Sequence, residues 1–228
     1  MTNFKKSLYI AFEGIEGCGK STQCELLVAR LRREFPKKEI VLTREPGGTE
    51  ISEAIRNILL NPEISKNKME SLTEVYLFAA ARTETLRKIV KPGLERGAIV
   101  VSDRCLYANL AYQGFGRELG VVRVWEINLP ALEKTLPDLV VFPDVSVEVG
   151  FGRIRDREKD RMEKEEWEFH KRVREGYLFL AEDDRHRFLV VDGSLSVDEQ
   201  AEIIWERVAP LIRDLEPIRE LQIRGERE

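Results

Sequence analysis

Short runs of apolar residues alternate along the chain with segments whose apolar residues recur every three or four positions. The apolar runs predict buried strands at residues 8–12, 40–43, 99–102, 139–142 and 188–191. The other segments have the spacing of amphipathic helices and cover residues 21–33, 49–60, 71–90, 122–132, 163–181 and 197–213. Strands that alternate with helices are typical of a parallel sheet with helices on its faces. The pattern therefore predicts an α/β fold with a parallel five-stranded sheet.

Glycine and proline cluster at residues 45–48, 61–62, 113–116 and 192–193, and we expect loops between elements there. None of these clusters has the length of a domain linker, so a single domain over residues 1–228 is predicted. Charged residues dominate residues 153–168 and the tail at residues 216–228. The tail is expected to be solvated surface.

The composition of the chain excludes several classes of protein. Of 228 residues 43% are hydrophobic and 34% charged, and the net charge of −4 is a poor match for a nucleic-acid backbone. The three cysteines fit neither a zinc site nor a disulfide framework. Apolar runs are too short to span a bilayer. We therefore expect a cytoplasmic protein with neither a nucleic-acid nor a membrane partner.

Residues 14–21 fit the pattern G-x-x-x-x-G-K-[ST] between a predicted strand and a predicted helix, the context of a phosphate-binding loop. Its glycines allow a tight turn whose backbone N–H groups point at phosphate oxygens, and the helix adds its positive end. Lys20 is predicted to hold the β- and γ-phosphates, and Ser21 to offer a hydroxyl to Mg²⁺. The predicted nucleotide site comprises Gly14, Ile15, Glu16, Gly17, Cys18, Gly19, Lys20, Ser21 and Thr22.

Charged residues also follow the next two predicted strands. Arg44 comes after the second strand, and Asp103 and Arg104 come after the third. Ligands of parallel sheets bind beyond the carboxyl ends of the strands, so these side chains are expected to face one crevice. Asp103 can hold Mg²⁺ or its water, and arginines can grip a phosphate. An ordinary ion pair in a loop explains Asp103 and Arg104 equally well.

The chain thus has two predicted phosphate grips, one in the glycine-rich loop and one from Arg44 and Arg104. Two grips suit phosphoryl transfer between two nucleotides, whereas a nucleotide-dependent switch needs one. Arg153 and Arg157 are four residues apart and on a helix would share a face, where they could stabilise the charge that phosphoryl transfer spreads. Taken alone, that stretch is equally typical of a solvated charged helix.

The same segments resemble the thymidylate kinase family, dTMP kinases of the P-loop nucleoside monophosphate kinase fold. Residues 12–22 are similar to its FEGxEGxGK[ST]T motif, residues 43–49 to its REPGGT loop, and residues 103–104 with 111–114 to its DR…AYQG block. The resemblance covers about residues 8–213. It implies transfer of the γ-phosphoryl group of ATP to dTMP with Mg²⁺, a lid at about residues 150–163, and a homodimer to which residues 71–90 contribute.

The resemblance also implies roles for single residues. For dTMP these are Glu16 near the 3′-hydroxyl, Arg44 and Arg104 at the phosphate, Phe78 stacked on thymine, Arg82, Asn109 and Gln113 near the base, and Tyr112 at the sugar. Asp103 and Ser21 would hold the metal, and Lys20 and Asp103 would act in catalysis. By residue type alone, Phe78 and Tyr112 fit a hydrophobic core and Gln113 fits a loop.

Gly17 and Cys18 occupy the variable loop positions and supply no arginine, so the resemblance assigns the transition-state arginine to Arg153 or Arg157 of a bacterial-type lid. The chain departs from the common family pattern at Ala81, Cys105 and Ala108. These departures put the orientation of Arg82 and the geometry of the acceptor phosphate in question. Two alternative functions remain: the same reaction with another nucleoside monophosphate or a deoxynucleoside as acceptor, and a nucleotide-dependent switch.

Overall fold

The computed structural model describes residues 7–64, 69–213 and 215. Within them a five-stranded sheet is formed by β1 (Leu8–Phe12), β2 (Ile40–Arg44), β3 (Ile99–Asp103), β4 (Leu139–Asp144) and β5 (Phe188–Asp192). Every strand pair is parallel and the order is β2-β3-β1-β4-β5. The predicted α/β fold and all the predicted strands are confirmed. The charged tail at residues 216–228 lies outside the described residues.

Helices connect the strands. They are α1 (Lys20–Glu34), α2 (Glu50–Leu60), α3 (Ser71–Thr85), α4 (Lys91–Glu95), α5 (Leu106–Asn109), α6 (Val121–Leu132), α7 (Val147–Arg153), α8 (Trp167–Asp183) and α9 (Val197–Arg213). The π-helical turn Leu86–Val90 joins α3 to α4, and the π-helical segment Leu110–Gly116 continues α5. No helix in the described part of the chain has the length and hydropathy needed to cross a bilayer.

Side chains of each strand alternate between two apolar layers, because successive residues of a strand point to opposite faces. On one face, Ile10 and Phe12 of β1 pack in the layer formed with α1 and α9. On the other face, Tyr9 and Ala11 belong to the layer formed with α3, α5, α6 and α8. The sheet is therefore buried on both sides, which explains why its strands are continuous apolar runs.

The predicted loop at residues 113–116 is wrong, since these residues lie in the π-helical segment Leu110–Gly116. Its glycines allow close helix packing instead of a turn. A Cβ atom on Gly116 would lie 2.6 Å from the ring of Phe169 in α8. Conversely, a Cβ atom on Gly176 would lie 2.7 Å from the ring of Phe115.

The helices next to the predicted lid also differ from the sequence pattern. The sequence pattern misses α7, whose first turn is capped by Ser146, and α8 begins at Trp167 instead of residue 163. Glu163 lies in a closed turn, where its N–H donates to Asp160 Oδ1 at 2.9 Å and the Asp160 N–H donates to Glu163 Oε2 at 3.0 Å. Because α7 ends at Arg153, the predicted shared helical face of Arg153 and Arg157 is wrong.

Candidate nucleotide and acceptor site

The phosphate loop follows β1 and leads into α1 as predicted. Gly14, Gly17 and Gly19 have φ angles of 135°, 70° and 95°, which are left-handed values that side chains disfavour. Gly17 also permits a close approach, because a Cβ atom there would lie 1.9 Å from the carbonyl oxygen of Gly150. The loop is therefore packed directly against α7.

The residues of the phosphate loop differ in what they can offer a ligand. Ile15 and Cys18 are fully buried, so they can offer a ligand only their backbone. Lys20 Nζ donates to the carbonyl oxygen of Ile15 at 3.3 Å and lines an open cavity. Thr22 is exposed on the first turn of α1 and lines the same cavity.

Two cavities open at the carboxyl edge of the sheet. The first cavity, of about 610 Å³, is lined by the predicted residues Glu16, Lys20, Ser21, Arg44, Phe78, Asp103, Arg104, Asn109, Tyr112, Gln113 and Arg157. The second cavity, of about 520 Å³, is lined by the predicted residues Glu16, Gly17, Gly19, Lys20, Ser21, Thr22, Arg153 and Arg157. Four of these residues, Glu16, Lys20, Ser21 and Arg157, line both cavities. The two cavities therefore meet at the phosphate loop and Arg157.

Arg104 and Glu16 form the polar centre of the first cavity. Arg104 Nη2 lies 3.0 Å from Glu16 Oε1 and 3.1 Å from the Tyr112 hydroxyl, which in turn donates to Glu16 Oε1 at 2.5 Å. Burial opposes ionisation of Glu16, but the charges of Arg104 and Lys20 outweigh it and lower the pKa of Glu16. Glu16 is thus held as a carboxylate.

Sequence reasoning missed Glu13, a fully buried carboxyl at the end of β1. Glu13 Oε1 accepts the backbone N–H groups of Cys105 at 2.8 Å and Ala108 at 3.0 Å, and Oε2 accepts the Tyr177 hydroxyl at 2.7 Å. The departures at Cys105 and Ala108 therefore leave the loop around Arg104 anchored through its backbone. A charged residue at the end of a buried strand was the available signal.

Arg82 does not line the first cavity but lies behind it, only 2% exposed. Its guanidinium donates to Glu45 Oε2 at 2.8 Å, to Asn109 Oδ1 at 3.3 Å, to the carbonyl oxygen of Cys105 at 3.2 Å and to Asn128 Oδ1. Glu45 and Asn128 thus orient Arg82 despite Ala81. A direct contact between Arg82 and a base stays a prediction.

A chain of amides connects Arg82 to the wall of the cavity. Asn128, which sequence reasoning missed, donates from Nδ2 to Asn109 Oδ1 at 2.8 Å. Asn109 Nδ2 donates to Gln113 Oε1 at 2.6 Å, and Gln113 Nε2 donates to the buried Glu74 at 2.7 Å. These bonds determine which amide atoms are donors, so the amide orientations are set before a ligand enters.

Arg44 and Phe78 both line the first cavity. Arg44 Nη2 lies 2.9 Å from both carboxylate oxygens of Glu53, and its side chain is 53% exposed. Phe78 is half-buried on α3. Both side chains are therefore accessible to a ligand, unlike Arg82.

Ser21 and Asp103 form a small cluster of oxygen atoms between the cavities. Ser21 Oγ donates to Asp103 Oδ2 at 2.5 Å, and both residues line the first cavity. A hydroxyl and a carboxylate, with phosphates and water completing the shell, suit Mg²⁺, which seldom takes an all-protein cage. The residues present therefore fit the predicted metal.

The two predicted lid arginines, Arg153 and Arg157, lie in different environments. Arg153 donates to the carbonyl oxygens of Gly17 at 3.3 Å and Gly193 at 2.9 Å, on the side of the second cavity. Arg157 lines both cavities and is paired with Glu163. The two arginines therefore differ in which ligand they can reach.

A parallel sheet with a glycine-rich phosphate loop after its first strand defines a P-loop nucleotide-binding protein. The second cavity lies at that loop, and the first cavity gives room for a further ligand. A model of the thymidylate kinase family matches residues 12–204. The thymidylate kinase of Leuconostoc mesenteroides is 44% identical over 83% of this chain and 89% of its own. That of Desulforudis audaxviator is 42% identical over 91% of this chain and 92% of its own. The chain therefore belongs to the thymidylate kinase family.

A solved structure supports the same assignment. The crystal structure of thymidylate kinase from Ehrlichia chaffeensis is similar to this chain with a TM-score of 0.72 and 31% identity. The similarity covers 89% of this chain and 98% of that one. The fold is accordingly the P-loop nucleoside monophosphate kinase fold that the sequence motifs predict.

Proposed function

We propose that the protein transfers the γ-phosphoryl group of ATP to dTMP, giving dTDP and ADP. The observation that carries this proposal is that the two cavities share Glu16, Lys20, Ser21 and Arg157. Phosphoryl transfer needs donor and acceptor held in line at a common point. ATP occupies the second cavity in this proposal, and dTMP the first.

On the donor side, the N–H groups of the phosphate loop and Lys20 bind the β- and γ-phosphates. Ser21 and Asp103 would hold Mg²⁺, which when bound neutralises charge on the phosphates. Ser21 stands at the first turn of α1, so its hydroxyl and the positive end of the helix act on the same phosphate group.

On the acceptor side, Arg44 and Arg104 bind the dTMP phosphate and aim it at the donor. Phe78 stacks on thymine, and the amides of Asn109 and Gln113 face its polar edge. Tyr112 stands beside the sugar, where its ring disfavours a 2′-hydroxyl. The preset amide orientations support recognition of a polar base edge.

Arg157 is our candidate for stabilising the transferred group, because it reaches both cavities. Arg153 reaches the donor alone and is assigned to ATP. Both belong to the lid, as in a bacterial-type enzyme. Closure of such a lid would exclude water and limit hydrolysis of ATP.

The protein is further proposed to act as a homodimer in the cytoplasm. Helices α3 and α6 contact each other and leave Tyr76, Val122 and Leu129 exposed by 56%, 71% and 48%. Such an apolar surface suits a second copy of the chain. Sedimentation of the wild type and of Tyr76→Glu would test this, and a monomeric wild type would contradict it.

Purified protein with Mg²⁺-ATP and each common nucleoside monophosphate in turn tests the activity. We expect ADP release that requires dTMP and yields dTDP in equal amount. Preference for another nucleoside monophosphate would overturn the proposed contacts to the base, but the proposed contacts to the phosphates would stand. Slow ATP hydrolysis with no dependence on any acceptor would instead favour the nucleotide-dependent switch.

A further inference from the structure

His170 is a buried polar side chain that the proposed reaction does not use. It lies on α8 with 1% exposure, and its ring packs on Phe151 of α7 with centroids 4.5 Å apart. Neither ring nitrogen has a side-chain hydrogen-bond partner among the described residues, and the backbone of Glu165 lies beside the ring. Burial lowers the pKa of His170, which keeps the ring neutral at pH 7, with one N–H donor and one acceptor.

A second unpaired atom faces it. Glu16 Oε2 has no hydrogen-bond partner among the described residues and lies 3.8 Å from His170 Nδ1. Glu16 Oε1, in contrast, accepts hydrogen bonds from both Arg104 and Tyr112. Buried polar groups are nearly always paired in native proteins, and a displacement of about 1 Å brings these two atoms to hydrogen-bond distance.

We propose that His170 is a positioning residue for Glu16, whose carboxylate it turns toward the 3′-hydroxyl of dTMP. When dTMP fills the first cavity, the Nδ1–H of His170 donates to Glu16 Oε2. An ionised carboxylate has about four acceptor sites. Oε1 uses two of them, and Oε2 keeps one for His170 and one for the hydroxyl. This inference rests on the proposed function, and His170 acts through Glu16 alone.

The alternative is that His170 only fills space between Phe151 and Phe169, whose ring centroids lie 4.5 Å and 5.2 Å from its own. The two roles differ in what a substitution does. Loss of a space-filling ring harms every substrate alike, whereas loss of a donor to Glu16 harms only substrates that carry the 3′-hydroxyl.

The experiment compares kcat/KM for dTMP and for 3′-deoxythymidine monophosphate in the full-length enzyme with Mg²⁺-ATP. His170→Phe keeps a ring and removes both nitrogens, and His170→Asn places an amide N–H near the position of Nδ1. We expect His170→Phe to lower the preference for dTMP, which is the ratio of kcat/KM for dTMP to kcat/KM for 3′-deoxythymidine monophosphate, at least tenfold. The value of kcat/KM for 3′-deoxythymidine monophosphate should change little. His170→Asn should regain most of the preference. His186→Phe, at an exposed histidine, is the matched control.

An equal loss of kcat/KM on both substrates, or an unchanged preference in His170→Phe, would overturn the inference. A second measurement uses the wild type, so its result does not depend on whether a variant folds. The imidazole ¹⁵N resonances of His170 should indicate a proton on Nδ1 when dTMP binds, and a ring that keeps Nδ1 unprotonated contradicts the proposal. A wild type that turns over no dTMP would instead refute the proposed function, and this inference with it.

Discussion

The guanidinium of Arg157 donates to both carboxylate oxygens of Glu163, with 3.1 Å between Arg157 Nη1 and Glu163 Oε2. Glu163 has a side chain only 5% exposed, whereas that of Arg157 is 51% exposed. The buried carboxylate is itself held by the Asp160 N–H. The turn around Glu163 therefore holds the exposed Arg157 side chain through a buried, anchored partner, at the point where the two cavities meet.

Arg157→Ala should lower kcat by about 10²–10³, because a positioned donor that stabilises developing charge contributes on that scale. KM for ATP and dTMP should change little. Steady-state kinetics with Arg155→Ala as the control checks this, since the Arg155 side chain is 78% exposed and contacts Asp156. Retention of kcat in Arg157→Ala would transfer the role to Arg153.

Arg44→Ala should raise KM for dTMP about ten- to a hundredfold, since a hydrogen bond to a charged group contributes about 1.5–3 kcal/mol. The melting temperature should stay constant, because the ion pair between Arg44 and Glu53 is exposed. Arg96→Ala removes a similar exposed pair, with Glu39, and should leave KM unchanged. An unaltered KM in Arg44→Ala would refute the acceptor-phosphate role.

Asn128→Leu should lower the free energy of unfolding by about 1–3 kcal/mol, because Arg82 and Asn109 lose a buried partner. KM for dTMP should rise, and KM for ATP should not. Denaturant unfolding and steady-state kinetics check the two effects. Asn57→Leu, at an exposed position on α2, serves as the control and should show neither effect.

Glu45→Gln should remove a pH dependence of stability. Burial raises the pKa of Glu45 to about 7, against the opposing charge of Arg82, from an ordinary value of 4.5. The folded state therefore binds the proton more tightly, so the stability from this group is complete below pH 4.5 and is lost as pH rises through 7. Between pH 5 and pH 8, the free energy of unfolding of the wild type should thus fall by roughly 1–3 kcal/mol relative to that of Glu45→Gln.

Thermal melts of both proteins at several pH values check the sign. The difference in melting temperature, wild type minus variant, should fall as pH rises. A constant difference would mean that Glu45 has the same protonation state in the folded protein across this range.

The sequence by itself determined the sheet, the phosphate loop and the family. Buried strands appear as continuous apolar runs because both faces of the sheet are covered, and the loop motif is local, so its spacing alone specifies the turn around Gly17 and Gly19. Residues that line the two cavities could also be predicted from the sequence, because parallel strands bring their carboxyl ends to one edge of the sheet. Arg44, Asp103 and Arg104 could be placed there without coordinates.

Only the tertiary structure decided which polar groups are paired in hydrogen bonds or ion pairs. Glu13, Asn128 and His170 act on residues far away in sequence, and no local periodicity signals such a contact. The same holds for the segment 113–116, whose glycines suggest a turn until α8 is seen packed against them. The depth of Arg82 could not be predicted for the same reason, because it depends on Glu45 and Asn128, which come from distant segments. Spacing along the chain specifies a turn or a helix face, but partners are chosen by packing in three dimensions.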